Sequence, residues 1–188
     1  MSNLQKTIIN EVSLSGVGLH TGREVNLTFK PALENTGIRF VRTDLEGHPT
    51  IEAEVCYVTD TQRGTNIEKN GVVINTSEHV LAAIIGLDID NIIIELSSPE
   101  PPIMDGSSRF FVEALEKAGI VEQNAEREVF EVKEIISFKD EETGSEIMIM
   151  PSDRYEITTM VDFGTKILGT QNATLKNISD FKKEIANA

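Results

Sequence analysis

Glu78 and His79 stand side by side in the stretch NTSEHVLAAIIGL, residues 75–87, where a helix apolar on nearly every side begins. A carboxylate beside an imidazole is the pairing used in metal-assisted hydrolysis, where one group ligates the metal and the other takes a proton from water. A helix N-terminus disfavours added positive charge, which suits the neutral imidazole that a metal requires. Adjacent helical side chains diverge, so the two groups would approach such a centre from different sides. The structural alternative is a cap. With Asn75 as N-cap, Glu78 falls at the third helical position, where its carboxylate would reach back to a free backbone N–H. A catalytic zinc usually takes three protein ligands and a water. The chain holds only His20, His48 and His79, with no HExxH and no cysteine cluster, so spacing alone describes an incomplete site.

The elements that must position this pair are strand-rich. Two β-type runs flank the glycine-studded connection holding Gly16, Gly18 and Gly22 in TIINEVSLSGVGLHTGREVNLTFKP. GIRFVRTD and TIEAEVCYV alternate as half-buried strands do. In TNIEKNGVVIN, Asn70-Gly71 supplies the positive φ angles of a type I′ hairpin turn. A helix follows over about 76–85, and then DNIIIEL reads as a strand covered on both faces. A second helix over about 107–118 carries Phe111, Leu115 and Ala118 on one stripe, with Gly119 at its end. The segment 123–128 reads as a polar connection.

Beyond that connection two segments share a pattern, which is either an internal repeat or only the likeness of any two β-hairpins. GREVNLTFKPALENTGIRFVRTD and GSEIMIMPSDRYEITTMVDF share Gly-x-Glu, strand-like residues, Pro31 or Pro151, a turn, and a strand ending in an acid. Such a repeat would describe the fold in units. The organisation expected is α+β: residues 1–125 form a first domain, and residues 126–188 begin a second, unfinished one that ends in a helix capped by Ser179.

Composition narrows the function. The chain has 188 residues, 39% hydrophobic and 26% charged, which is enough for a buried core. A net charge of −14 argues against nucleic acid and anionic membrane surfaces. A phosphorylated small molecule remains compatible, because a few local cations or helix N-termini can hold it. Cys56 is the only cysteine, and no run reaches membrane-spanning length, so a cytoplasmic protein is expected.

Four separated motifs carry a family resemblance: SGVGLHTG at 15–22, DTQRGT at 60–65, TSEHVLAAIIGLDIDN at 76–91 and PIMDGSS at 102–108. Together they resemble the UDP-3-O-acyl-N-acetylglucosamine deacetylases, zinc amidases that commit carbon to lipid A synthesis, and the likeness runs across essentially the whole chain. The resemblance implies two similar α+β domains, each a sheet with helices, packed face to face around the active site. It implies that His79 is a zinc ligand and Glu78 the general base. Asp162 and Phe163 would lie near the nucleotide part of the substrate, although Gly164-Thr165-Lys166 departs from the Asn-His-Pro of some relatives and Phe163 has the alternative of a core or edge-strand aromatic. His20 would lie in a Gly-rich loop near the site and contact substrate, or else be a plain loop histidine, and Arg63 and Gly64 would line the entrance for the acyl chain or substrate. Asp105 would support an active-site imidazole, or else form the turn before a helix. The family's other ligands, in a His-x-x-x-Asp pattern, are absent from these residues. The expectation is therefore a front portion of a longer deacetylase, inactive alone, weak in zinc binding, and prone to self-association through exposed apolar strands. The alternative from another class is a non-catalytic α+β module that binds a sugar nucleotide or assembles with partners.

Overall fold

A computed structural model describes residues 3–188. It is a mixed α+β structure whose centre is a five-stranded sheet ordered β2-β3-β9-β4-β5. These strands are β2 (Val12–Val17), β3 (Glu24–Pro31), β4 (Ile38–Arg42), β5 (Thr50–Glu52) and β9 (Ile92–Leu96). All neighbours are antiparallel except β4 and β9, which run parallel with Phe40 opposite Ile94. Alternation puts Val25, Leu27, Phe29, Phe40, Ile92, Ile94 and Leu96 on one buried face. The expectation that β9 is covered on both faces is corrected: its other face is half-buried, and Glu95 there pairs with Lys30 at 2.8 Å.

Two helices cover the buried face, α1 (Glu78–Gly86) and α2 (Arg109–Ala118). From α2, Phe111, Val112, Leu115 and Ala118 enter the core, and Phe111 meets Phe29 edge to face with ring centres 6.5 Å apart. Gly119 ends the helix at φ 79°, as its position suggested. The expected TIEAEVCYV strand is broken. After β5 comes a 3₁₀ turn (Val55–Tyr57), and β6 (Val58–Asp60) joins a separate meander with β7 (Asn66–Lys69) and β8 (Val72–Ile74). The β7–β8 hairpin turns on Asn70 and Gly71 at φ 53° and 79°, as its sequence dictates.

The polar segment near 123–128 is no loose connection. It forms most of β10 (Ile120–Glu126), which pairs with β1 (Leu4–Ile8). Its polar side chains have buried partners. Asn91 donates to Gln5 and Gln123 at 2.8 and 2.7 Å, and Gln123 donates to Ala32 O. Arg127 then clamps Asp88 and Asp90, and Lys6 adds a second cation to Asp88.

After residue 127 the chain forms two separate hairpins, β11 (Ile136–Lys139) with β12 (Glu146–Ile149), and β13 (Ile157–Asp162) with β14 (Thr170–Leu175). β12 carries the pattern repeated from β3, yet it pairs with β11 alone and all its residues are exposed. Phe138, Ile147, Met148, Met150 and Met160 face solvent, the exposed apolar surface that the sequence led us to expect. The last residues return to the core. Leu175, Ile178, Phe181 and Ala186 are buried, and the short helix α3 (Phe181–Glu184) sets Phe181 against Gly86 of α1. Ser179 does not cap this helix: it lies in a 3₁₀ turn (Ile178–Asp180) capped by Asn177, whose side chain accepts from Ser179 N, and the N-cap of α3 is Asp180. Among the described residues no helix is long and apolar enough to cross a membrane.

Candidate active site

Glu78 is the first residue of α1, and this corrects the capping alternative. Its carboxylate does not reach back to its own helix. Instead Glu78 Oε2 accepts from Thr65 N at 2.8 Å, so the connection between β6 and β7 orients it. The entry to α1 is tied to the same connection, since Ser77 N and Ser77 Oγ both donate to Thr65 O. Thr76, just before, sits at φ 51°. A β-branched residue is rarely found there and persists only where its surroundings over-determine it. Asn66 Oδ1 accepts from Thr76 N, and Thr76 Oγ1 donates to Glu100 at 3.1 Å.

His79 Nε2 lies 4.0 Å from Glu78 Oε1, and each side chain is about one-third exposed, at 32% and 37%. Both groups therefore reach solvent from a rigid base, because Ser108 Oγ donates to His79 O and α1 buries Val80, Ala83 and Ile84 behind them. Among the described residues no three His, Cys, Asp or Glu converge on one point. This stretch does not by itself complete a metal site; it offers one imidazole and one adjacent carboxylate.

The Gly-rich loop of 18–22 comes to the same place. His20 Nε2 donates to Arg63 O at 3.0 Å, which fixes the hydrogen on that nitrogen because a carbonyl only accepts. Gly64 follows at φ 148°, where a Cβ would come within 3.1 Å of Glu78 Oε1. Thus His20, Gly64 and Glu78 are brought together, while the Arg63 side chain is exposed. Asp105 is elsewhere in its bonding: it accepts from Ser107 N, Ser107 Oγ and Arg109 Nη2, the pattern of a residue that starts α2. Those bonds hold its carboxyl below the ordinary range. Among the described residues no imidazole bonds to it. Asp162 ends β13 on the exposed hairpin with Phe163 just after it, and Asp162 caps its own turn by accepting from Gly164 N. No hydrogen bond or ion pair among the described residues links them to Glu78 or His79.

Sequence reading passed over Glu100. It is fully buried, and burial alone would raise its pKa. Hydrogen bonds from His20 N, Thr21 N, Thr21 Oγ1 and Thr76 Oγ1 outweigh that effect and hold the carboxyl below its ordinary range. No Lys or Arg pairs with it among the described residues. Gly18 is what lets the loop approach, since a Cβ there would lie 2.6 Å from Glu100 Oε2. A lone charge between Pro99 and Pro101 was the available signal.

Fold and site together define an α+β protein presenting a carboxylate–imidazole pair at the mouth of a helix N-terminus. The chain belongs to the LpxC family, UDP-3-O-acyl N-acetylglycosamine deacetylase, whose family model matches residues 5–188. It is 43% identical over 187 residues to the UDP-3-O-acyl-N-acetylglucosamine deacetylase of Coxiella burnetii, covering 98% of this chain and 61% of that protein. It is 44% identical to a bifunctional enzyme LpxC/FabZ of Bacteroides thetaiotaomicron and 47% identical to one of Chlorobaculum tepidum. In each of these, 97% of this chain aligns with 40% and 39% of the relative. The chain thus spans between two-fifths and three-fifths of the curated relatives it matches.

Proposed function

We propose that these residues are part of a zinc-dependent deacetylase that removes acetate hydrolytically from UDP-3-O-acyl-N-acetylglucosamine in lipid A biosynthesis. The observation that carries the reading is Glu78 itself. Its carboxylate is oriented by Thr65 N, lies 4.0 Å from the His79 ring, and reaches solvent, in a chain of the deacetylase family. Glu78 takes the proton from the attacking water. His79 is one ligand of a zinc ion whose remaining ligands lie beyond residue 188. When bound, the ion supplies Lewis acidity. His20, Arg63 and Gly64 form the substrate's entrance beside Glu78, and Asp162 and Phe163 meet its nucleotide. Asp105 supports an imidazole of the completed site. The architecture is two similar sheet-plus-helix domains facing one another, which the shared pattern of β3 and β12 supports. The protein works in the cytoplasm on a small-molecule substrate, without nucleic acid or membrane insertion. The 188 residues alone are inactive and self-associate through their exposed apolar strands.

The test is Glu78→Gln in the full-length protein, with deacetylation and bound zinc both measured. Loss of a general base lowers the rate by about 10²–10⁴-fold. Zinc content should be unchanged, whereas His79→Ala should lose the metal. A Glu78→Gln enzyme within a few-fold of the parent rate would overturn the assignment. A second reading is a non-catalytic module that binds a sugar nucleotide or assembles with partners. It would be upheld by UDP-sugar binding without acetate release from the full-length protein.

A further inference from the structure

The bonds around Glu78 close into a ring. Thr65 N holds the Glu78 carboxylate, and Thr65 O holds Ser77. Thr76, next in the chain, bonds to Glu100 through its hydroxyl. Glu100 accepts from the backbone of His20 and Thr21. The His20 ring then donates to Arg63 O, two residues before Thr65. Among the described residues Glu100 is the acceptor that ties the 18–21 loop to Thr76, while the other links of the ring run through Arg63 and Thr65.

We propose that Glu100 is a positioning residue: by joining the 18–21 loop to Thr76 it sets where Glu78 and the Thr65 N–H stand relative to each other. The chemistry requires a carboxylate. Four donor groups converge on its two oxygens, and an amide would present two hydrogens to one side of that cluster. The hydroxyl of Thr76 is the link to α1, and its left-handed backbone needs such a link, because nothing intrinsic to a threonine favours φ 51°. Hydrogen bonds to a charged, buried acceptor are among the stronger ones and cost most when one partner is removed. Thr28 and Thr43 also bond through their hydroxyls, but at ordinary φ. Among the described residues, only at Thr76 does a hydroxyl bond coincide with a strained backbone beside the candidate base.

This inference rests on Glu78 as the working carboxylate, yet its test reads position without activity. Amide hydrogen exchange, resolved by peptide, is followed in the full-length protein carrying Glu100→Gln, Thr76→Val or Thr76→Ser. Glu100→Gln and Thr76→Val should speed exchange in the peptide containing Thr65 by at least about tenfold, the size of one lost bond to a charged group. Amides of β3 and β9 should keep their protection. Thr76→Ser keeps the hydroxyl and should restore slow exchange at Thr65. If Glu100→Gln does not fold, the two Thr76 variants decide alone. Unchanged exchange at Thr65, or a rise shared equally with β3 and β9, would refute positioning and leave Glu100 a general support of the fold. Because Glu78→Gln fails or succeeds in the deacetylation assay, the two readings can fail separately.

Discussion

Gly86 gives a prediction in which two effects of opposite sign compete. Replacing a helical glycine with alanine ordinarily stabilises by about 0.5–1 kcal/mol, and Gly86 has no positive φ that would require glycine. Its position at the end of α1 puts the gain near the lower figure. Against this, the new Cβ would lie 2.5 Å from Phe181 Cγ and 2.6 Å from Cε1, where ordinary contact begins at 3.4 Å. The ring must move by about 1 Å, which is overpacking of the kind that costs roughly 1–3 kcal/mol. Phe181 is only 6% exposed and anchors a helix of four residues, too short to hold itself. The clash wins: Gly86→Ala should destabilise by about 1–2 kcal/mol, confined to residues 176–188. Hydrogen exchange across that segment, with β9 amides as internal reference, would show it. The background Phe181→Ala supplies the sign test. There the ring is gone, so adding Gly86→Ala should stabilise by about half a kcal/mol. Unchanged or slower exchange at 176–188 in the single variant would refute the packing argument.

Other expectations follow from single groups. Glu100 and Asp88 both have carboxyls held below their ordinary values of 4.5 and 3.8, burial opposing and hydrogen bonds prevailing. Their contribution is therefore fully present above about those values and lost as pH falls through the lower folded ones. Urea unfolding from pH 7 to 3 should show stability dropping below pH 4.5, with a shallower drop in Glu100→Gln. Asn177→Ala removes the cap bond to Ser179 N and should cost about 1 kcal/mol, again seen as faster exchange in 176–188 alone.

Some of this was legible from local chemistry. Asn70-Gly71 fixed a turn because both residues tolerate positive φ, and the stripe on α2 needed only helical spacing. The Glu78–His79 pair was found because charge at the mouth of an apolar helix is conspicuous. The capping alternative failed for a tertiary reason: the donor that claims Glu78 is Thr65 N, from a connection whose course no spacing rule describes. Glu100 was missed for the same cause, since its donors at His20 and Thr21 lie about eighty residues away. Gln123 and Arg127 read as a polar connection because a sequence does not show that Asn91, Asp88 and Asp90 await them. In the second half the apolar run of EIMIM is legible as strand, but not which face finds a partner.

The parallel pairing of β4 with β9 bears on how the protein folds. Parallel strands need a long crossover, and here that crossover is residues 43–91, which hold Arg63, Thr65, Glu78 and His79. The loop-closure entropy of that pairing falls due before the sheet can reward it, which makes such pairings slow. Glu100 leaves the sheet just after β9, so the strand that completes the sheet also delivers the carboxylate that draws His20 and Thr76 together. The Thr65–Glu78 contact spans few residues and can form within the crossover, whereas the junction of His20 and Thr76 at Glu100 must wait for β9.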